Sequence, residues 1–96
     1  MDLKARILVA ALDVAARVGI DKTTRDAIAA RVPCSAGSVS FHYGDGRKLR
    51  RAIVEAAIKL ENLAVIGWAV AERHAAAGKA SEELRARAIR HHLGIK

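Results

Sequence analysis

The 96-residue chain has a single cysteine, a single proline, and one each of phenylalanine, tryptophan and tyrosine. A lone thiol, Cys34, can form no internal disulfide, which fits a reducing compartment. With so few rings, the core has to be alanine, valine, isoleucine and leucine, side chains that suit close-packed helices. One proline leaves long stretches free to be helical, and runs such as VAALDVAA and EAAIKLENLA have high helix propensity. No segment alternates at period two far enough to form a strand. The longest apolar run, Leu63 to Ala71, is nine residues, against the roughly 20 a bilayer-spanning helix needs. The N-terminus carries Asp2, Lys4 and Arg6 and no uninterrupted apolar stretch of the signal-peptide kind. An all-α protein of the cytoplasm, with no membrane partner, is expected.

Acidic residues are also scarce, at 10 against 17 lysines and arginines, for a net charge of +7. The excess is uneven. Met1 to Arg51 holds ten cations and five anions, whereas residues 52–96 hold seven and five. A basic surplus concentrated in one half is the electrostatic footprint of a nucleic-acid partner.

That half contains the stretch TTRDAIAARVPCSAGSVSFHY, Thr23 to Tyr43. Ile28, Ala29, Val32, Cys34 and Val39 are spaced so that one short helix packs on a second beginning near Ser35. The outward positions of the second helix, Ala36, Gly37, Ser38, Ser40 and Phe41, are small or flat, as a helix lying against base edges requires. Thr24 and Ser35 place hydroxyls at helix starts, and Arg25 adds a cation beside them. The bland alternative is an ordinary helical corner; the hydroxyls, the small outward residues and the local basicity weigh against it.

A first helix is predicted from Leu3 to Val18, capped by Asp2 and ended by Gly19. Thr23 or Thr24 caps the second helix, with Asp26 approximating a capping box from Thr23. The third helix runs from Ala36 to His42. Asp45 follows as the cap of a long fourth helix, Arg47 to Ala77, stopped by Gly78. The fifth begins after Ser81 and ends before Gly94. Arg47 and Lys48 open the fourth helix, where cations oppose the helix macrodipole unless they share an anion such as a phosphate with it. Arg50 and Arg51 fit a solvated face better, with Glu55 four residues from Arg51. His42 has a ring N–H to offer a phosphate, and Tyr43 is expected to pack inward.

From Leu63 to Ala71 the fourth helix is apolar all round, more than so small a monomer can cover, so a homodimer interface is expected there. Its residues would be Leu60, Leu63, Ile66, Gly67, Trp68, Val70, Leu84 and Ile89. The chain then divides into a DNA-binding domain, residues 1–57, and a helical dimerisation extension, residues 58–96. No paired carboxylates, nucleophile–base pair or phosphate-cradling glycine loop is present, so neither an enzyme nor a cofactor is expected. His91 and His92 are adjacent and point about 100° apart on a helix, and no metal site is expected.

The order of an alanine-rich first helix (Ile7, Ala11), Gly19, Thr24 with Ile28-Ala29, Ser35-x-Gly37-x-Val39, His42-Tyr43 and Leu49 resembles the DNA-binding domain of the TetR (tetracycline-repressor) family. The resemblance covers about Arg6 to Ala57. It implies DNA contacts from Thr24, the start of the third helix, His42 and the start of the fourth helix. Pro33 stands where the family usually has glycine, so a reshaped turn is expected. Ser40 and Gly46 replace a tyrosine and a lysine that touch phosphate in the family, with Arg47 and Lys48 as substitutes. Family members usually carry a longer C-terminal ligand-binding domain, so a small-molecule effector is not expected here. A minimal prokaryotic or phage repressor binding double-stranded DNA is expected. The rival readings are an anti-repressor-type protein-interaction module and a cationic amphipathic membrane binder, the latter disfavoured because charges and apolar run lie apart.

Overall fold

Six α-helices and one 3-10 turn make up the computed structural model, which describes residues 1–95; no strand occurs among the described residues. Helix α1 (Leu3–Val18) begins at Asp2, whose carboxylate accepts the Ala5 N–H at 2.8 Å, and stops at Gly19, where φ is 95°. Both ends are local events, a side-chain acceptor for an orphan amide and a left-handed residue. Helix α2 (Arg25–Arg31) and helix α3 (Ala36–Tyr43) follow as the helix pair. Thr24 caps α2, its hydroxyl accepting the Ala27 N–H at 3.1 Å. Thr23 is buried and donates its hydroxyl to the Gly19 carbonyl at 2.7 Å. The expected Thr23–Asp26 capping box is therefore not formed, because the cap sits one residue later.

The turn between α2 and α3 contains a cis Val32–Pro33 peptide. Its backbone is tied on both sides. The Cys34 N–H donates to the Ala29 carbonyl at 2.9 Å, and the Arg6 guanidinium of α1 donates to the Val32 carbonyl at 3.0 Å. Ile28, Ala29 and Val39 bury the facing sides of the pair against Ile7, Ala11 and Ile20. Burial of one such aliphatic side chain stabilises by about 1.5–3 kcal/mol.

The long fourth helix predicted from Arg47 to Ala77 is instead broken into three pieces. Helix α4 (Gly46–Leu60) ends at Glu61, helix α5 spans Leu63–Ala71, and a 3-10 turn covers Ala75–Lys79 before helix α6 (Glu82–His92). Each break is a Schellman motif. After α4, Glu61 has φ 52°, its N–H donates to Ile58 at 3.2 Å, and the Asn62 N–H reaches back to Ala57 at 2.9 Å. After α5, Arg73 has φ 57°, with Arg73 N–H on Val70 at 3.1 Å and His74 N–H on Ala69 at 2.9 Å. The pairing satisfies the last carbonyls of each helix. Asn62 then caps α5 by accepting the Val65 N–H at 3.2 Å.

Breaking the helix folds the apolar run back inside the chain. Helix α6 lies along α5, and Val65, Ile66 and Ala69 are fully buried in one cluster with Ile7, Ile53 and Ala88. At the crossing, a methyl group on Gly67 would come within 2.7 Å of the Ala88 carbonyl oxygen, so only glycine lets the two backbones approach this closely. The burial that the sequence assigned to a second subunit is thus supplied by α6, α1 and α4, and Ile66 and Gly67 have no face left to offer a partner. Trp68 is likewise engaged within the chain, donating its indole N–H to the Ala16 carbonyl at 3.0 Å.

Candidate nucleic-acid interface

The outer face of α3 is made by residues too small to fill a groove of their own. Gly37 and Ser35 are exposed, Ala36, Ser38 and Ser40 are half-buried, and the Phe41 ring is 84% exposed. A fully apolar ring in water on a helix that buries only Val39 is the largest uncompensated surface of this element. The ring meets His42 edge to face at 5.1 Å between centroids. Below it, the Ser35 hydroxyl accepts the Ser38 N–H at 3.0 Å and lies 3.0 Å from the Ser38 hydroxyl.

Cations flank this face on two sides. On the α2 side, the Arg25 guanidinium donates to the Ser40 hydroxyl at 2.6 Å, which holds the arginine alongside α3. The sequence placed both residues in the candidate site, but nothing in their spacing of fifteen predicted the bond between them. On the other side, Gly44 (φ 79°) turns the chain, and the exposed Arg47 and Lys48 open α4. The positive end of α4 is already occupied by an anion of the chain itself: Asp45 accepts the Lys48 N–H at 2.9 Å. That backbone hydrogen bond, more than the nearby Lys48 and Arg47 charges, holds the Asp45 carboxyl below the usual carboxylate range. Arg47 and Lys48 therefore offer their side chains, rather than the helix amides, to any outside anion.

Tyr43 fixes how α3 sits. Its hydroxyl donates to the Lys4 carbonyl of α1 at 2.9 Å, and the Lys4 ammonium lies 5.7 Å from the centre of its ring. Burial, with the Asp2 charge adding to it, raises the phenol pKa, so the hydroxyl keeps its proton and remains a donor. Tyr43 packs inward, as its place among small apolar residues implied. Cys34 is half-buried in the turn, its thiol 3.4 Å from the Ser35 carbonyl.

A third group of cations was not singled out as a site from sequence. Arg50 and Arg51 of α4 join His74, which caps the 3-10 turn, and Lys79 at its end, along a groove that begins at Arg47 and Lys48. Glu55 pairs with both Arg51 (3.6 Å) and Lys79. The hydrogen bond from Lys79 is the main reason the Glu55 carboxyl stays below its ordinary range. No periodicity links His74 or Lys79 to α4, so only the break after α5 brings them together. Among the described residues, no group of three or more histidine, cysteine or acidic side chains is placed to hold a metal.

Residues 7–53, which run from α1 through the helix pair into α4, match the family of bacterial regulatory proteins named for tetR. This segment belongs to the TetR family. The chain is accordingly a DNA-binding transcription regulator with a helix-turn-helix formed by α2 and α3, and the family points to binding rather than catalysis. Searches of curated proteins and of solved structures gave no match. The TetR-type segment ends within α4, so Glu55, α5, the 3-10 turn and α6 lie outside it. No described helix is long and apolar enough to cross a membrane.

Proposed function

We propose that this TetR-type regulator is a repressor that reads a pseudo-palindromic operator with α3, as a homodimer. The observation that carries the reading is the exposed small-residue face of α3, from Ser35 to Phe41, set between Arg25 on one side and Arg47 and Lys48 on the other. Thr24, Ser35, His42, Arg47 and Lys48 meet backbone phosphates and fix the register. Ala36, Gly37, Ser38, Ser40 and Phe41 face bases, the hydroxyls bonding base edges and the Phe41 ring covering a thymine methyl. Arg25, held by Ser40, sits where it can serve either role. Ser40 as the acceptor of Arg25 supports this reading, since it orients a donor next to the groove-facing helix.

Dimerisation rests on the apolar side chains that the fold leaves in water. Leu60 at the end of α4 is 66% exposed, and Leu93 just beyond α6 is 64% exposed. Of the interface expected from the sequence, Leu60, Leu63, Trp68, Val70, Leu84 and Ile89 retain accessible surface; we assign the contact between protomers to these and to Leu93. Two half-sites about 34–36 Å apart, or a multiple of that, follow from two-fold symmetry.

Selection of bound sequences from random duplexes, with the mass of the complex measured, tests both parts. A palindromic consensus bound by two copies supports the reading. Recovery of no consensus, with no protection of duplex at low salt, would leave the helix pair as scaffold and favour a protein-interaction module.

A further inference from the structure

The groove between α4 and the 3-10 turn has a volume of about 720 Å³ and is lined by Arg47, Lys48, Arg50, Arg51, His74 and Lys79, together with two alanines. None of its lining side chains is acidic. Glu55 is shared between Arg51 and Lys79, and Asp45 lies near the Lys48 and Arg47 charges at the other end, so two carboxylates border five lysines and arginines. His74 adds a defined donor. Its Nδ1 accepts the Ala76 N–H at 3.1 Å, which in the neutral ring leaves the proton on Nε2.

We infer that this groove carries the backbone of bound duplex DNA past the helix-turn-helix, so that His74 and Lys79, outside the TetR-type segment, are phosphate contacts. The inference rests on the reading that Arg47 and Lys48 meet phosphates, because the groove is continuous with them. Its length decides between a polyanion and a small ion. From Arg47 to the Glu55 turn, where Lys79 docks, α4 advances roughly 12 Å. A duplex strand carries one charge per about 3.4 Å of helix axis, its phosphates lying further apart along the strand itself, so at least two neighbouring phosphates can lie along a groove of that length. A single phosphate group would engage two or three of the cations and leave the others repelling one another. Glu55 then acts as an internal stand-in for phosphate, holding Arg51 and Lys79 in place until the duplex competes for them.

The test is the salt dependence of binding to a mixed-sequence duplex, followed by fluorescence, for the full chain and three variants. Glu55→Gln removes the competing carboxylate and is expected to tighten binding several-fold at low salt. Adding Lys79→Ala to that background lowers the slope of log K against log salt by about 0.9, the release of one phosphate contact. Lys79→Arg in the same background keeps the slope. All of these side chains are at the surface, and a thermal melt by circular dichroism checks that folding is retained. Duplex binding with the same slope in all variants would overturn the inference and leave the helix-turn-helix reading standing. Loss of duplex binding by the unaltered protein would remove both. Saturable binding of inorganic pyrophosphate with the duplex slope unmoved would assign the groove to small anions and overturn it as well.

Discussion

Glu72, just past the end of α5, accepts the backbone N–H of Ile20 at 2.9 Å across fifty-two positions of the chain. Its second oxygen accepts the Asp21 N–H at 2.7 Å. One carboxylate thus caps the loop that leads from α1 into the DNA-binding pair. Gly19 is part of the same contact: a methyl group there would lie 2.6 Å from Glu72 Oε2 and 2.9 Å from the Trp68 ring. The C-terminal helices therefore set the orientation of α2 without belonging to the TetR-type segment.

Glu72→Ala leaves two amides without their acceptor, one of them partly buried. A loss of about 1–3 kcal/mol in unfolding free energy is expected, from the cost of an unsatisfied buried donor. Glu72→Gln, which keeps one carbonyl oxygen, loses less. Urea unfolding of the two variants, compared at equal m-value, checks the order.

Gly67→Ala puts a methyl group against the Ala88 carbonyl and the His92 Cβ, at 2.7 and 2.9 Å. The carbonyl is backbone in α6 and cannot step aside, so α5 and α6 must separate. Overpacking of this kind costs about 1–3 kcal/mol. Thermal unfolding gives the value; an unchanged midpoint would mean the helices can slide apart freely.

The Asp45 cap makes stability depend on acid. Its folded pKa is lowered, so the folded chain binds fewer protons than the unfolded one and stability rises with pH through that window. The contribution is present above the ordinary carboxylate value and is lost as pH falls through the lower, folded value. Asp45→Ala is expected to be less stable than the parent at neutral pH, with the gap narrowing in acid. Unfolding curves at neutral pH and near pH ~3 measure it.

Phe41→Ala removes an exposed ring and should leave the melting temperature almost unchanged. On a selected operator its effect is concentrated at one position of each half-site, where replacing thymine costs the parent about 1–3 kcal/mol and the variant much less. A uniform loss across all positions would argue against a base contact.

Arg47→Ala combined with Lys48→Ala should weaken binding to every sequence alike and reduce the salt slope by about two. A change in sequence preference with the slope intact would reassign both side chains from phosphates to bases.

Helix starts and the N-terminal core were legible because their signals act within three or four residues. Asp2, Thr24, Ser35, Asp45 and Ser81 each offer an oxygen to an amide three positions on, and all five are caps in the structure. The apolar spacing of Ile28, Ala29 and Val39 identified the buried face of the helix pair for the same reason. The helix ends at Glu61 and Arg73 carry no such signal, because neither is the glycine that usually marks a stop. Each adopts a left-handed conformation at a cost on the order of 1–2 kcal/mol, offset by the Schellman hydrogen bonds and by the packing of the helices on either side. Without those breaks, the apolar run could be covered only by a second subunit.

The amino-acid order alone determined an all-α chain, its capped helices and a small-faced helix flanked by positive charge, since propensity, capping and periodicity are local. Tertiary structure decided where the apolar run is buried, which loop Glu72 holds, that Arg25 is braced by Ser40, and that His74 and Lys79 lie beside α4. Those outcomes depend on side chains that meet only after the chain has folded back on itself, and no spacing in the sequence encodes the distance between them.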